Sequence, residues 1–382
     1  MGLTSSALLY AVGGLALALP LALVLLWLRG PGRRAWWGAA AVAGGVVIAQ
    51  AVAVGAVAVA VNRQYGFYPT WDALLGQPTP PPVVALPSPR HPALASRSAR
   101  RVESAAKGVG YLTPSLPTVA GGGSYREYVI TGASSRITQR VIVWLPPQYN
   151  ARRFASSRFP VLMVLGGAYS PVTWAAERLD FDRLATGEIK HGGVAPFIAV
   201  FPELNVAGHT DTECTDVPHG LQAFTWLAGD VPGWAEHALR VRSHPHGWSV
   251  MGWSTGGYCA AKLHLRDPSG FVAAASFEGY FTPELDRSTG NLQAVFHNSI
   301  RLANDNSPLW LVEHRPPPAA HILVSTSPTD PQSYDPSMTF LRRTHAIPGV
   351  QPYVVHDLGH TVAAWQLVTP PILGWLAAVA GL

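Results

Sequence analysis

Two stretches near the start of the chain carry no charged residue, Ser6 to Leu28 and Ala35 to Val61. Each exceeds the ~20 apolar residues that a helix needs to cross ~30 Å of hydrocarbon. The pattern predicts two membrane-spanning helices. Between them lies Arg29-Gly30-Pro31-Gly32-Arg33-Arg34, a short turn with three arginines. Short positive loops stay in the cytoplasm, so the expectation is a hairpin with the N-terminus and everything after Val61 outside. Trp27, Trp36 and Trp37 then fall at the inner interface, and Tyr65, Phe67, Tyr68 and Trp71 at the outer one. A signal peptide is the competing reading of the first stretch. It fits poorly, because no basic residue precedes the run and the run is longer than an h-region. The second stretch remains an anchor in either case. Gly44, Gly45 and Gly55 are small enough to let the two helices approach closely.

From about Gln77 to Pro117 the chain is rich in proline, serine and arginine. Pro78, Pro80, Pro81, Pro82, Pro87, Pro89 and Pro92 favour an extended spacer. Gly121-Gly122-Gly123 closes it. Beyond the glycines, strand-like runs alternate with helix-like runs. Tyr125–Thr131, Gln139–Leu145, Pro160–Leu165, Pro196–Phe201, Gly247–Trp253, Phe271–Phe277, His321–Ser325 and Gln351–His356 read as strands. Gly220–Leu239, interrupted near Pro232, reads as a helix, as do Thr255–Arg266 and Pro331–His345. The alternation implies a mostly parallel, doubly wound sheet of the α/β class. The last apolar run, Thr361 to Leu382, contains Pro370-Pro371 and Gln366. We read it as a helix packed on the sheet, with a third membrane span as the alternative. The organisation expected is a membrane hairpin over residues 1–61, an outer linker over 62–123 and a catalytic domain over 124–382.

Composition agrees with a partly lipid-embedded chain. Of 382 residues, 48% are apolar and only 13% charged, against about 25% charged in ordinary soluble domains. The net charge of +5 is modest, and its basic residues are scattered without an accompanying run of aromatics, which argues against nucleic acid as a partner. The two cysteines, Cys214 and Cys259, have no metal-site spacing. They read either as two buried thiols or as one disulfide, which requires an oxidising compartment.

Gly252-Trp253-Ser254-Thr255-Gly256 matches G-x-S-x-G. An ordinary glycine-rich turn is the bland reading of five residues. Here, however, a strand leads in through Ser249-Val250-Met251 and a helix leads out through Tyr258–Leu265, which is the strand–turn–helix context of a nucleophile elbow. Ser254 is therefore the candidate nucleophile of an α/β-hydrolase fold, in which acid and histidine follow in chain order. His360, in the loop after the last strand, is the candidate base. His356, read as still at the strand's edge, is the runner-up. Asp330, after the preceding strand, is the candidate acid, with Asp335 second. Asp330 precedes Pro331 and also suits a helix start. Backbone amides of Thr255 and of Ala168, with Gly167 as alternative, are the candidate oxyanion hole.

These residues resemble the esterase D and antigen-85-type mycolyltransferase group of α/β hydrolases, from roughly Ser124 onward. The likeness rests on Gly252-Trp253-Ser254-Thr255-Gly256-Gly257, on Gly166-Gly167-Ala168 after a strand, and on Gly359-His360-Thr361-Val362-Ala363-Ala364-Trp365. The resemblance implies acyl-ester chemistry without metal or organic cofactor. Asp330 suits the esterase D arrangement of the acid. Asp211-Thr212-Glu213-Cys214-Thr215-Asp216 is similar to a segment of actinobacterial membrane-anchored esterases, where its cysteine pairs with one just past the elbow, here Cys259. Expected, then, is a membrane-anchored extracytoplasmic serine esterase acting on acyl esters. An acyltransferase serving envelope sugars or glycolipids is the alternative, and a non-catalytic binding member is the reading from another class.

Overall fold

The computed structural model describes residues 2–3, 5–29, 36–65, 68, 71–75, 111–208, 210–356 and 359–382. The arginine turn beyond Arg29, the Pro-rich linker up to residue 110, and the side chains of Trp27, Trp36, Trp37, Tyr65 and Phe67 lie outside the described residues. The chain divides into two compact units. One comprises Met1–Val83 with Ser327–Gln332 and Val355–Thr361. The other comprises Val84–Thr326, Ser333–Val354 and Val362–Leu382.

In the first unit, α1 (Ser6–Arg29) and α2 (Trp36–Tyr65) pack on one another. Within them Ser6–Leu25 and Ala40–Arg63 are long and apolar enough to cross a membrane, with mean hydropathies of 2.3 and 2.2. Gly45 is the expected small contact residue, since a Cβ on it would come 2.3 Å from Leu23 Cδ2, whereas Gly44 and Gly55 face open space. At the end of α2 the Asn62 side chain clips the chain back. Its Oδ1 accepts the Tyr68 amide at 2.7 Å and its Nδ2 donates to the Tyr68 carbonyl at 2.9 Å. Tyr68 and Trp71 are exposed.

In the second unit, eight strands form one sheet. They are β1 (Ser124–Thr131), β2 (Thr138–Leu145), β3 (Val161–Leu165), β4 (Ile198–Pro202), β5 (Trp248–Trp253), β6 (Phe271–Phe277), β7 (Ile322–Thr326) and β8 (Val350–Val354), in the order β1-β2-β4-β3-β5-β6-β7-β8. β1 pairs antiparallel with β2, and β2 with β4; every other pair is parallel. Every residue of β3, β4, β5 and β7 is buried. Strands covered on both faces need continuous apolar runs rather than alternation, which is why they stood out in the sequence. The chain steps from β3 out to β4 and then crosses back over β3 to β5. Such a switch point opens a crevice at the carboxyl ends of the strands, where Gly166-Gly167 and Ser254 sit.

The helices used below are α3 (Phe181–His191), α4 (Val231–Ala238), α5 (Thr255–Arg266), α6 (Pro331–Arg343) and α7 (Val362–Ala380). α7 is apolar and long enough to span a bilayer, with a mean hydropathy of 1.5. It instead packs against α3, β5 and β6, burying Trp365, Ile372, Leu373 and Leu376. Trp375 Nε1 donates to Gln351 Oε1 at 2.9 Å. The single helix expected over Gly220–Leu239 is three pieces, Ala223–Thr225, a π turn at Trp226–Asp230, and α4. The backbone stays helical through Asp230 and Val231, so the irregularity is the π turn just before Pro232, near where the interruption was expected. β8 stops at Val354, so His356 stands two residues past the strand and not within it.

Candidate active site

β5 delivers a fully buried strand to a sharp turn. Ser254 has φ 55° and ψ −126°, a conformation that costs strain for a residue with a Cβ, and α5 begins at the next residue. The neighbouring glycines explain how the turn closes. A Cβ on Gly252 would lie 2.4 Å from the Gly256 carbonyl oxygen, and one on Gly256 would lie 2.4 Å from the carbonyl oxygens of both Gly166 and Leu165. The backbone is thus compressed around the serine. The Ser254 amide donates to the Phe277 carbonyl at 2.9 Å, while the Ser254 carbonyl accepts the amides of Gly257 and Tyr258 at 2.9 and 3.1 Å. Ser254 itself stays partly exposed.

The loop after β3 faces this turn. A Cβ on Gly167 would lie 3.4 Å from Ser254 Cβ, so the glycine leaves room beside the serine. Asn205, past β4, holds the loop from outside. Its Oδ1 accepts the Tyr169 amide at 3.1 Å and its Nδ2 donates to the Ser170 carbonyl at 3.0 Å. The Ser170 amide donates to the Gly167 carbonyl at 3.2 Å. The amides of Tyr169 and Ser170 are therefore committed. Trp253, Trp174 and Trp365 cluster beside the turn with ring centroids 4.8–5.6 Å apart, Trp253 stacked on Trp365 and Trp174 tilted against both.

Asp330 and His360 come together. His360 Nδ1 lies 2.9 Å from Asp330 Oδ2, with the Asp330 side chain fully buried and His360 partly exposed. The Asp330 amide donates to the Ser327 carbonyl at 2.9 Å, which fixes the turn carrying the carboxylate. Of the runners-up, Asp335 lies within α6 and His356 in a turn, and both are exposed.

The family model described as "Putative esterase" matches residues 134–361. The chain belongs to this esterase family. The match covers most of the stretch from β1 to the loop after β8 and makes this a hydrolase domain of the esterase type. Among solved structures it is similar to a ferulic acid esterase (TM-score 0.58, 17% identity, 67% of this chain and 98% of that one). It is likewise similar to an S-formylglutathione hydrolase from Agrobacterium tumefaciens (TM-score 0.55, 15% identity, 69% and 98%). A fluorophosphonate-binding serine hydrolase of Staphylococcus aureus gives a TM-score of 0.53 at 17% identity, over 66% and 98%. At such identities the likeness is one of fold. An uncharacterized protein of Corynebacterium glutamicum is 24% identical over 155 residues, covering 40% of this chain; the match spans only 35% of that curated relative's length.

Behind the elbow the esterase carries a buried polar cluster that sequence reasoning missed. Cys214 and Cys259 are joined by a disulfide, with Cα atoms 6.0 Å apart, so neither is a thiolate for a metal. Lys262, fully buried, donates to the Glu213 carbonyl at 2.5 Å, to Thr215 Oγ1 at 3.1 Å and to Asn306 Oδ1 at 3.2 Å. Burial pushes the Lys262 amine well below its ordinary range. Burial, reinforced by the charge of Asp211, holds the Glu213 carboxyl well above its own. The expected Cys214–Cys259 pairing already tied this segment to α5; the bonds of Asp211 to Thr255 and of Lys262 to Glu213 join residues 44 and 49 positions apart, which no local pattern shows.

Proposed function

We propose that this esterase works through an acyl-enzyme on Ser254, with its catalytic domain held at the outer face of a membrane by α1 and α2. Asp330 accepts a hydrogen bond from the Nδ1–H of His360 and keeps its charge, which holds the tautomer that leaves Nε2 as the base. Ser254 Oγ attacks the ester carbonyl carbon as His360 takes its proton, and the amides of Thr255 and Ala168, or Gly167, meet the oxyanion. The alcohol leaves with that proton. Water then attacks the acyl-enzyme and regenerates the serine. The observation that carries this reading is the left-handed backbone of Ser254 at the β5–α5 turn. The disulfide favours an oxidising compartment, and the arginine turn favours a cytoplasmic loop between the helices. The two spans support a second reading, in which a hydroxyl of an envelope sugar or glycolipid replaces water as acceptor. A fluorophosphonate probe is expected to label the wild type but not Ser254→Ala; label surviving in the variant means another nucleophile. p-Nitrophenyl esters of several chain lengths, assayed with and without sugar acceptors, separate the readings. Acylated sugar as the main product would replace hydrolysis by transfer.

A further inference from the structure

We infer that Asp211 is a positioning residue for the oxyanion amide of Thr255, an inference that rests on the acyl-enzyme reading of Ser254. Thr255 is the first residue of α5, and its side chain is buried. Its hydroxyl donates to Asp211 Oδ2 at 3.0 Å. The other carboxylate oxygen accepts the Glu213 amide at 2.8 Å, and the Asp211 amide donates to the Ser288 carbonyl at 2.9 Å. The carboxylate is thus fixed by its own segment on one side and grips Thr255 on the other. The Tyr280 hydroxyl, donating to Glu213 Oε1 at 2.9 Å, also lies 3.3 Å from Thr255 Oγ1.

Two more anchors tie the same segment to the same helix. Cys259 holds Cys214 through the disulfide, and Lys262 donates to the Glu213 carbonyl and to Thr215 Oγ1. Thr255, Cys259 and Lys262 are spaced four and three residues apart, which puts them on one face of α5. The segment 211–215 therefore runs along that face and fixes its first turn at Asp211. A hydroxyl that must donate to one fixed acceptor locks the Thr255 side chain, and with it the orientation of the N–H one residue past Ser254. An oxyanion donor acts only on the charge that develops during reaction, so loosening it affects turnover rather than substrate affinity.

The test uses the full chain in detergent, with p-nitrophenyl acetate as the probe, and measures kcat and KM separately. Asp211→Ala and Thr255→Val are each expected to lower kcat by roughly 10- to 100-fold, short of the full loss of an oxyanion donor, with KM little changed. The double variant is expected to be no slower than the slower single one, because both remove the same contact. Asp211→Asn, which keeps an oxygen acceptor, is expected to recover part of the loss. Wild-type kcat in either single variant, a loss confined to KM, or fully additive losses would overturn the inference. If Asp211→Ala does not fold, Thr255→Val decides alone. Ser254→Ala runs alongside. Turnover surviving in it sinks the acyl-enzyme reading itself, whereas an inactive Ser254→Ala beside a wild-type-like Thr255→Val sinks only the positioning role.

Discussion

Ser254 holds a backbone conformation that its neighbours impose, and a role for it makes quantitative demands on its partners. If His360 takes the serine proton, Ser254→Ala and His360→Ala are each expected to lose on the order of 10⁶ in kcat, and their combination no more. Asp330→Ala should lose less, since the acid orients the ring and keeps its own charge. Exposed His356 and Asp335 supply the controls, and kinetics on p-nitrophenyl esters with circular dichroism as the folding check measure all of them. Loss in His356→Ala with full activity in His360→Ala would move the base. A second prediction concerns pH. The Glu213 carboxyl is raised by burial and then by Asp211, so the folded state keeps a proton that the unfolded chain releases near pH ~4.3. This contribution is fully present below that pH and is lost as pH rises through the folded-state pKa. Glu213→Gln is therefore expected to gain in melting temperature relative to wild type as pH rises from about 4; a pH-independent difference would contradict the raised pKa. Ser254 was legible in the sequence because an elbow is a local pattern of strand, glycines and helix. His360 was legible only as one of two candidates. β8 ends at Val354, so position relative to the strand does not separate it from His356; the 2.9 Å bond to Asp330 is what supports the proposed choice of His360. Asp211 was not legible, because its partner lies 44 residues away and only tertiary structure joins them.

Elements were readable where burial imposes a pattern. β6 and α5 have the bounds expected, since a continuous apolar run and a run of good helix formers after the elbow leave little freedom. The stretch from Glu278 to Ala320 drew no reading. It contains helices of five, six and seven residues, Leu292–Phe296, Ile300–Asp305 and Pro308–His314. Such lengths are too short to display a helical period. Their caps were visible all the same: Ser299 Oγ accepts the Leu302 amide and Ser307 Oγ accepts the Trp310 amide, with Pro308 in the first turn, a start signal that needs no periodicity. The disulfide belongs to this scale because it joins the segment around Cys214 to the middle of α5. With its ends 45 positions apart in sequence, the chain-entropy model gives about 4 kcal/mol as an upper value. Replacing both cysteines by serine should lower the melting temperature by on the order of 10 °C. Peptide mapping without reductant checks the bond itself; two alkylatable thiols in the native protein would rule it out.

At the scale of the whole chain, the three apolar helices among the described residues allow two topologies. Both put residues 30–34 in the cytoplasm, because the arginines there follow the charge rule for short loops. They differ at α7. By length and hydropathy α7 qualifies as a third span, and spanning would carry Leu382 back to the cytoplasm. Its contacts argue otherwise. Trp365 Nε1 donates to Glu278 Oε2 at 2.7 Å, Trp365 stacks on Trp253, and the Gly381 carbonyl accepts from Arg242 Nη1 at 3.2 Å. A spanning α7 would break all three and strip the cover from β5, which carries the elbow, and from its neighbour β6. Gln366 and the Pro370-Pro371 pair also suit a helix bounded by protein better than one facing lipid. The expectation is that alkaline phosphatase, which needs an oxidising compartment, is active when fused after Ala120 and again when fused after Leu382. A cytoplasmic reporter should be silent at both positions. Activity after Ala120 with silence after Leu382 would make α7 a third span and require a different packing of the sheet. Silence at both would put the catalytic domain in the cytoplasm, where the disulfide loses its oxidising compartment.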